Sequence, residues 1–397
     1  MKFKATELFK NITIILFLTG MPLLSLPCMA QKILPQEKVR LYSAPVTWEQ
    51  LNLARLKSLP IADQLVYSNR NAELRKEGYH FTVGPTTVSG IPLDRLVEHF
   101  YTNWTQFPHP SPAPSQVQTP CLEILAQPTD PTNDMRDYGI VTPIRNQDLG
   151  QDAICGSCWD FGTVAAFETS VLLQNGYVNG VDAGNLALSE QQVLDCVGSQ
   201  VLNIISDSCN GGNQAFAADY ICANPIVTAA TLPYTAGQSS CPPLPAGSIY
   251  QGLSWGWVGG CTLPFCVNPG IQAIKEAICA HGSVVSCIQA TTDFQDYSPG
   301  SDADSVYDDN DGACPGPWPS PNHVIQIIGW DDNKQAWLIK NSWGTGWGEG
   351  GYCWVGYNVL NIGTYAIWID ARKFNNACGG TGGNPPKSKS GRRRREF

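Results

Sequence analysis

The stretch from Cys155 to Leu173 constrains the fold of this 397-residue chain more than any other. It begins Cys155-Gly156-Ser157-Cys158-Trp159, and apolar residues then recur at steps of three and four, as on one face of an α-helix. Asn175-Gly176 supplies the signal at which such a helix ends. Cys158 is therefore predicted in the first turn of a buried helix. There the unpaired N–H groups and the positive dipole end favour the nucleophilic thiolate.

A second region pairs a histidine with an amide. Residues 321–330 and 335–344 have the pattern of β-strands, joined by the turn-rich Asp331-Asp332-Asn333-Lys334. A hairpin centred on Asp332 would place His323 directly opposite Asn341, with Cβ atoms about 4.5–5.5 Å apart. The Asn341 amide oxygen would then accept from one imidazole nitrogen while the other faces the thiol. Nucleophile, base and orienting group are the set that covalent catalysis requires.

The segment from Cys155 to Trp159 resembles the active-site segment of the papain family of cysteine peptidases. The resemblance implies an α+β fold of two lobes. A mainly helical N-terminal lobe would carry Cys158, and a β-barrel-like C-terminal lobe would carry His323 and Asn341. Peptide or protein substrates would lie in the cleft between the lobes, and no cofactor or metal is expected.

The run Thr142-Pro143-Ile144-Arg145-Asn146-Gln147 resembles the start of the family's mature enzyme. It implies that the Gln147 side chain, with the backbone N–H of Cys158, stabilises the oxyanion of the reaction. Seven residues, 148–154, separate Gln147 from Cys155, where the family commonly has two. Gln151 is therefore the alternative for this role.

Two further segments resemble substrate-binding parts of the family. In Cys209-Asn210-Gly211-Gly212, Gly211 and Gly212 would let the backbone approach an extended substrate and pair with it as an added strand. An ordinary disulfide-bearing turn is the alternative. Trp343 and Trp347 resemble tryptophans that shield the His–Asn bond from water, and plain core packing is their alternative.

The chain has fifteen cysteines, which indicates an oxidising compartment. Setting aside Cys28, Cys121 and Cys158 leaves an even number, as a disulfide framework requires. The resemblance implies Cys155–Cys209 and Cys196–Cys241, and the other eight cannot be paired from sequence. A metal site is the alternative for Cys261 and Cys266, but no histidine cluster accompanies them.

The N-terminus has the pattern of a secretory signal peptide, assigned to residues 1–30. Lysines precede an apolar run from Ile12 to Leu26, and cleavage is expected after Ala30. The run is shorter than the roughly 20 residues that span a membrane, so no stable membrane anchor is expected. The protein is predicted to be secreted or to occupy the lumen of the secretory or endolysosomal pathway.

The rest of the chain divides into four segments. Residues 31–106 correspond to the family's inhibitory prosegment, with a spacer as the alternative, and residues 107–131 form a proline-rich linker in which maturation is expected. The peptidase domain is assigned to residues 132–373. The basic tail, residues 374–397, is predicted to be disordered.

The charge distribution argues against nucleic acid as a partner. Between Asn133 and Lys373 there are seven Lys+Arg and 23 Asp+Glu, a net charge of −16. The acidic insertion from Asp302 to Asp311 is predicted to be a solvated loop. A calcium loop is less favoured, because Tyr307 stands at the first ligand position. The protein is expected to be a monomer.

The predicted activity is hydrolysis of peptide bonds by an endopeptidase made as a zymogen. The insertion from Asp148 to Ile154 offers Asp148 and Asp152, which would repel a substrate's C-terminal carboxylate and favour basic residues just past the cut. Alternatives are an exopeptidase, a transpeptidase or ligase with the same three residues, and a non-catalytic binding module. Asp160 is expected to raise the thiolate pKa modestly, and His281 to cap a helix.

Overall fold

The computed structural model describes residues 48–97, 119–150, 154–177, 181–200, 208–243, 248–260, 269–299, 305–309 and 321–375. All of them belong to one compact unit that begins at Val46. Within these ranges no helix is both long and apolar enough to cross a membrane. The predicted signal peptide, the first part of the linker, Gln151, Asp152, and Cys261 with Cys266 lie outside the described residues.

The helices differ in where they pack. Three precede the linker, three form a helical lobe in which they pack on one another, one packs on the main sheet, and a short one follows it along the chain. In chain order they are α1 (Trp48–Ser58), α2 (Ile61–Glu77), α3 (Leu93–Leu96), α4 (Cys158–Asn175), α5 (Glu190–Gln200), α6 (Gln214–Ala223), α7 (Ile271–His281) and α8 (Thr292–Gln295). The helix predicted from the Cys158 motif is confirmed, because α4 begins at Cys158 and ends at Asn175 before Gly176.

The strands form two antiparallel sheets in the described residues. They are β1 (Thr82–Val83), β2 (Thr132–Asp134), β3 (Gly252–Trp257), β4 (Val284–Ile288), β5 (Tyr297–Ser298), β6 (His323–Asp331), β7 (Ala336–Lys340), β8 (Tyr352–Gly356) and β9 (Thr364–Ala371). The main sheet has the order β3-β9-β4-β6-β7-β8, with β2 added to β6, and β1 pairs with β5. The α+β class, with a helical part followed by a β part, is confirmed.

The β6–β7 hairpin has a different register from the predicted one. Gln326 pairs with Lys340 and Trp330 with Trp337, and a bulge lies between the two pairs. The prediction of a turn centred on Asp332 was wrong. The connection extends to Gln335, and the φ of 51° at Gln335 lets the chain reverse further along the sequence than predicted. Continuing the register outward places His323 beside Trp343, so Asn341 is a diagonal neighbour of His323.

Helix α4 joins the two lobes. It packs on β6 and β9 of the sheet as well as on α5 and α6. A Cβ added to Gly162 would lie 2.9 Å from Val324 Cγ1, so only glycine lets the first turns of α4 approach the start of β6 this closely. Gly162 follows Cys158 by four residues and therefore shares its helix face. Because Val324 follows His323, this contact brings Cys158 and His323 to the same end of the lobe interface.

The disulfides confirm the two pairings implied by the resemblance and correct the cysteine count. Cys155–Cys209 and Cys196–Cys241 are both formed. Cys121, set aside in the count, is also disulfide-bonded. Several other cysteines of the described residues remain thiols: Cys222, Cys279, Cys287 and Cys353, as well as Cys158. The even-number argument was wrong, because buried cysteines also serve as small apolar core residues.

The segment before the linker packs on the sheet lobe. Strand β1 pairs with β5, and the Phe81 and Tyr307 rings lie 4.4 Å apart. The Arg70 guanidinium donates to one Asp293 oxygen through Nη2 at 2.6 Å and Nε at 2.9 Å. Gln295 Nε2 donates to backbone carbonyls of the same segment. The predicted prosegment is therefore held by a strand pair, an ion pair and an aromatic contact.

Candidate active site

Cys158 lies in the first turn of α4 and is fully buried. The disulfide from Cys155 to Cys209 ties the residues just before the helix to the loop that carries Gly211 and Gly212. The Ser157 hydroxyl lies 2.7 Å from the Tyr234 hydroxyl, which donates to the Gln147 carbonyl. This network fixes the position of the helix start.

His323 and Asn341 are hydrogen-bonded, with His323 Nε2 2.8 Å from Asn341 Oδ1. The same Oδ1 accepts from the Ser342 N–H, so this atom is the amide oxygen and His323 Nε2 must be the donor. A neutral imidazole then carries its proton on Nε2 and has a lone pair on Nδ1. Nδ1 is buried and has no hydrogen-bond partner in the described part of the chain.

Burial controls the charge of the histidine. It lowers the pKa of His323 to about 4, and the hydrogen bond to Asn341 opposes this shift. The imidazole is therefore neutral at neutral pH in this structure. A neutral ring with an open Nδ1 lone pair is a proton acceptor, which is what a thiol needs beside it in order to become a nucleophile.

Trp343 lies flat against the histidine. The two rings are stacked, with centroids 4.5 Å apart. Trp347 meets Trp343 edge-on at 5.6 Å and donates from Nε1 to the Phe294 carbonyl. Both tryptophans are fully buried and form part of the core, as the packing interpretation requires. Their shielding of the His323–Asn341 bond from water stays a prediction.

Gln147 reaches the same end of the cleft. Its Nε2 donates to the Cys155 carbonyl at 3.0 Å and to the Leu96 carbonyl at 2.9 Å. The Ser342 hydroxyl donates to Gln147 Oε1 at 2.7 Å, so the amide is held from the sheet lobe as well. The amide N–H thus points at a carbonyl oxygen that belongs to the segment before the linker.

That segment enters the cleft at α3. Leu96 supplies the carbonyl bound by Gln147, and the next carbonyl, of Val97, would lie 3.0 Å from a Cβ added to Gly156. Upstream, the Thr87 hydroxyl donates to the Trp343 carbonyl at 2.7 Å. The segment therefore covers both walls of the cleft at the position of Cys158 and His323.

Gly211 and Gly212, called the shelf glycines below, lie directly on the helix that carries Cys158. A Cβ on Gly212 would fall within 2.6 Å of three atoms of the Trp159 ring, so no other residue fits there. Gly211 has a φ of 121°, which side chains rarely adopt. Ser208 and Gly211 form an isolated β-bridge. Backbone at this position can therefore come close to a bound strand.

A buried charge cluster behind the site was missed from sequence. The Arg145 guanidinium lies 2.8 Å from a Glu190 oxygen, and Lys340 Nζ donates to the Thr142 hydroxyl, which donates to Glu168. Burial raises the pKa of Glu190 to about 7 and lowers that of Lys340 to about 8. A lysine inside the apolar β7 strand was the available signal, because an unpaired buried ammonium is costly.

The structure also describes three further residues that the sequence singled out: His281, Asp160 and Asp148. His281 is in the last turn of α7, as expected, where it bonds Asp370 at 2.8 Å and stacks on Trp368. Asp160 is fully buried in the first turn of α4, and its effect on the thiolate pKa stays a prediction. Asp148 is buried, and its carboxylate accepts from the Gly150 N–H.

Comparison with known proteins identifies the relatives of this chain. "Cysteine proteinase 2" of Entamoeba histolytica is 33% identical over 222 residues, covering 55% of this chain and 61% of that protein. "Digestive cysteine proteinase 3" of Homarus americanus is 32% identical over 235 residues, covering 57% of this chain and 62% of that protein. The matches therefore span about three-fifths of these relatives' length.

A solved structure resembles the fold over most of the chain. Digestive procathepsin L 3 of Tenebrio molitor larval midgut aligns with a TM-score of 0.58 at 24% identity, covering 83% of this chain and 94% of that one. The family model described as papain family cysteine protease matches residues 129–368, which include Cys158, His323 and Asn341. The chain therefore belongs to the papain family of cysteine proteases.

Proposed function

We propose that this protein is a cysteine endopeptidase, made as a zymogen, that hydrolyses peptide bonds through an acyl-enzyme on Cys158. The observation that carries the proposal is the hydrogen-bond pattern of His323. Its Nε2–H donates to Asn341. Its Nδ1 has no hydrogen-bond partner among the described residues and remains available as a proton acceptor at the end of the lobe interface where Cys158 begins α4.

The mechanism follows from these positions. His323 Nδ1 takes the Cys158 proton, and the thiolate attacks the scissile carbonyl carbon. The resulting oxyanion accepts from Gln147 Nε2 and from the Cys158 N–H at the start of α4. Imidazolium Nδ1–H then protonates the leaving amine. A water molecule, deprotonated by the same nitrogen, attacks the thioester and releases the acid product.

Asn341 and Trp343 act as positioning residues. Asn341 holds the imidazole in the tautomer whose Nδ1 can accept, and Trp343 stacks on the ring and keeps it in plane. Gly211 and Gly212 would pair with the substrate backbone. Ser342 supports both amides, since its N–H bonds Asn341 and its hydroxyl bonds Gln147.

Residues 31–106 are proposed to inhibit the peptidase in the precursor. The Leu96 carbonyl accepts from Gln147 Nε2, the same donor that the oxyanion would use. A substrate carbonyl cannot use this donor until the segment leaves. From Leu122 to Pro131 the chain packs on the peptidase domain, and the Asp130 and Pro131 carbonyls accept from Trp330 and Asp332. Maturation is therefore proposed upstream of Cys121.

Endopeptidase action and secretion remain proposals. Asp148 and Asp152, in the insertion that follows Gln147 in the sequence, would repel a substrate's terminal carboxylate. The pattern of residues 1–30 and the formed disulfides favour secretion or a secretory lumen. The transpeptidase alternative uses the same residues and differs only in the acceptor of the acyl group.

One experiment separates these possibilities. The activated protein is titrated with an epoxide that alkylates active thiols, and the products of a diverse peptide mixture are then sequenced. The proposal predicts one equivalent of epoxide per active molecule and internal cuts. Release of single C-terminal residues would indicate an exopeptidase, and products extended by an added amine would indicate a transpeptidase. No epoxide uptake and no cleavage would contradict the proposal.

A further inference from the structure

The Asn341 side chain is held at its oxygen and not at its nitrogen. Its Oδ1 lies 2.8 Å from His323 Nε2 and accepts from the Ser342 N–H at the same distance. Its Nδ2 is buried and has no hydrogen-bond partner among the residues that the structure describes, and the residue is only 3% exposed. Most buried polar atoms in proteins are paired, so this nitrogen calls for a further acceptor.

A small cavity lies beside this amide. Its volume is about 10 Å³, which is close to the least space that one water molecule needs. The walls include the buried charge cluster and the Asn341 side chain: Arg145, Glu168, Glu190, Lys340, Ala165 and Asn341. Two cations and two carboxylates give these walls no excess of either charge. The cavity therefore suits a neutral polar molecule of the size of water.

The cluster offers one carboxylate with room for another donor. Glu168 Oε1 accepts from the Leu188 N–H at 2.7 Å, and its Oε2 accepts from the Thr142 hydroxyl. Arg145 and Lys340 can only donate, so neither can satisfy an amide N–H. Glu190 Oε2 accepts from Arg145 at 2.8 Å, and a carboxylate has about four lone-pair sites. Glu190 is therefore the favoured acceptor on the far side of the cavity.

We propose that this cavity holds one water molecule that accepts from Asn341 Nδ2 and donates to Glu190, so that Glu190 positions Asn341 for its bond to His323. The inference rests on the proposed function, because it takes Asn341 as the residue that orients the catalytic imidazole. Water is the ligand that fits both ends, since it accepts from the amide nitrogen and donates to the carboxylate.

The consequence for the reaction lies in the tautomer of His323. An Asn341 amide rotated by half a turn would present Nδ2 to His323 Nε2, and Nε2 would then have to accept. The imidazole proton would move to Nδ1, which could no longer take the proton of Cys158. A water bound at Nδ2 opposes this rotation. Glu190 acts through the water and Asn341, so it is a positioning residue and does not touch the substrate.

The kinetic test fills the cavity with two side chains of nearly the same shape. Ala165→Val would place apolar atoms where the water is proposed, and Ala165→Thr would place a hydroxyl there that can accept from Asn341 Nδ2. Mature enzyme from each full-length precursor is titrated with the epoxide, and kcat and KM are measured per active thiol. The kcat of Ala165→Val should fall roughly tenfold at unchanged KM, because a buried N–H loses its acceptor. Ala165→Thr should recover most of this loss.

Two kinetic results overturn the inference. One is a wild-type kcat in the Ala165→Val enzyme. The other is an equal loss of kcat in the two variants, because the added volume alone would then explain it.

A structural measurement covers failure of these variants to fold. It is a high-resolution crystal structure of the full-length precursor with Cys158→Ala, which keeps the cavity and cannot cleave itself. We expect an ordered water about 2.7–3.2 Å from both Asn341 Nδ2 and a Glu190 carboxylate oxygen. Clear density for Asn341 without a water at Nδ2 overturns the inference. This measurement needs no activity, whereas a wild-type enzyme without epoxide uptake or hydrolysis contradicts the proposed function instead.

Discussion

The helical wall of the cleft is fixed by one helix start and a disulfide, and the sheet wall by the pairing of two strands. Cys158, the Cys155–Cys209 disulfide and the shelf glycines sit on one helix start and the loop tied to it. His323 and Asn341, in contrast, meet only because β6 and β7 pair in one register and buried tryptophans support them. The first wall therefore depends on local chemistry, and the second on the packing of the whole sheet.

The largest predicted effect is the loss of activity when Cys158, the proposed nucleophile, is replaced. Cys158→Ala should lower kcat/KM by roughly 10⁴-fold or more, because it removes the sulfur on which the acyl-enzyme is proposed to form. Peptide hydrolysis measures the loss, and circular dichroism checks the fold. The control is Cys279→Ala, which removes a partly exposed thiol outside the cleft and should leave activity unchanged. Activity of the Cys158→Ala enzyme above one-hundredth of wild type would contradict the assignment.

The next largest effect is expected at Gln147, whose side-chain amide is hydrogen-bonded to both walls of the cleft. Gln147→Ala should lower kcat by roughly 10²–10³-fold with a smaller change in KM, because an oxyanion donor acts mainly in the transition state. Steady-state kinetics on the mature enzyme measure this split. Gln127→Ala, an exposed glutamine, is the control. A normal kcat in Gln147→Ala would move the role to Gln151.

A smaller effect tests which wall holds the prosegment. Arg70→Ala removes the ion pair with Asp293 on the sheet lobe, so the precursor's cleft should open more often. Epoxide labelling of the full-length precursor should become roughly tenfold faster, as loss of a charged hydrogen bond predicts. Arg75→Ala, exposed on the same helix, is the control. Equal labelling rates for the two variants would contradict anchoring by Asp293.

The smallest effect concerns the charge cluster behind the site. Burial raises the folded-state pKa of Glu190 to about 7. The stability from this group is therefore complete below its unfolded pKa of about 4.3 and is lost as pH rises through 7. Glu190→Gln cannot titrate, so its Tm should fall by roughly 3–6 °C less than the wild type's between pH 5 and pH 8. Parallel Tm curves would show that Glu190 does not titrate in this range.

The sequence predicted the helical wall better than the sheet wall for a physical reason. The start of α4 and its end before Gly176 follow from contiguous residues, and the two disulfides were implied by the resemblance to the family. The partnership of His323 with Asn341 was correct, but the register was wrong, since a turn of different length and a bulge shift the strands. The predicted contact between His323 and Asn341 is still present, because diagonal neighbours on paired strands also touch.

The contacts missed from sequence are those between distant segments. The residues next to Ser342 and Tyr234 in the sequence do not predict the hydrogen bonds that these two side chains make with Gln147. The Arg145–Glu190 ion pair likewise arises only when residues 45 positions apart pack together. Such contacts require the three-dimensional arrangement, because residue spacing carries no information about them.

The pH dependence of Cys158 alkylation in mature enzyme tests the central claim most directly. A thiol made anionic by a helix start and by His323 should react with iodoacetamide far below the ordinary cysteine pKa of about 8.5. His323→Ala should move the inflection upward by several pH units, toward that value. A single inflection near 8.5 in both enzymes would contradict the pairing of Cys158 with His323.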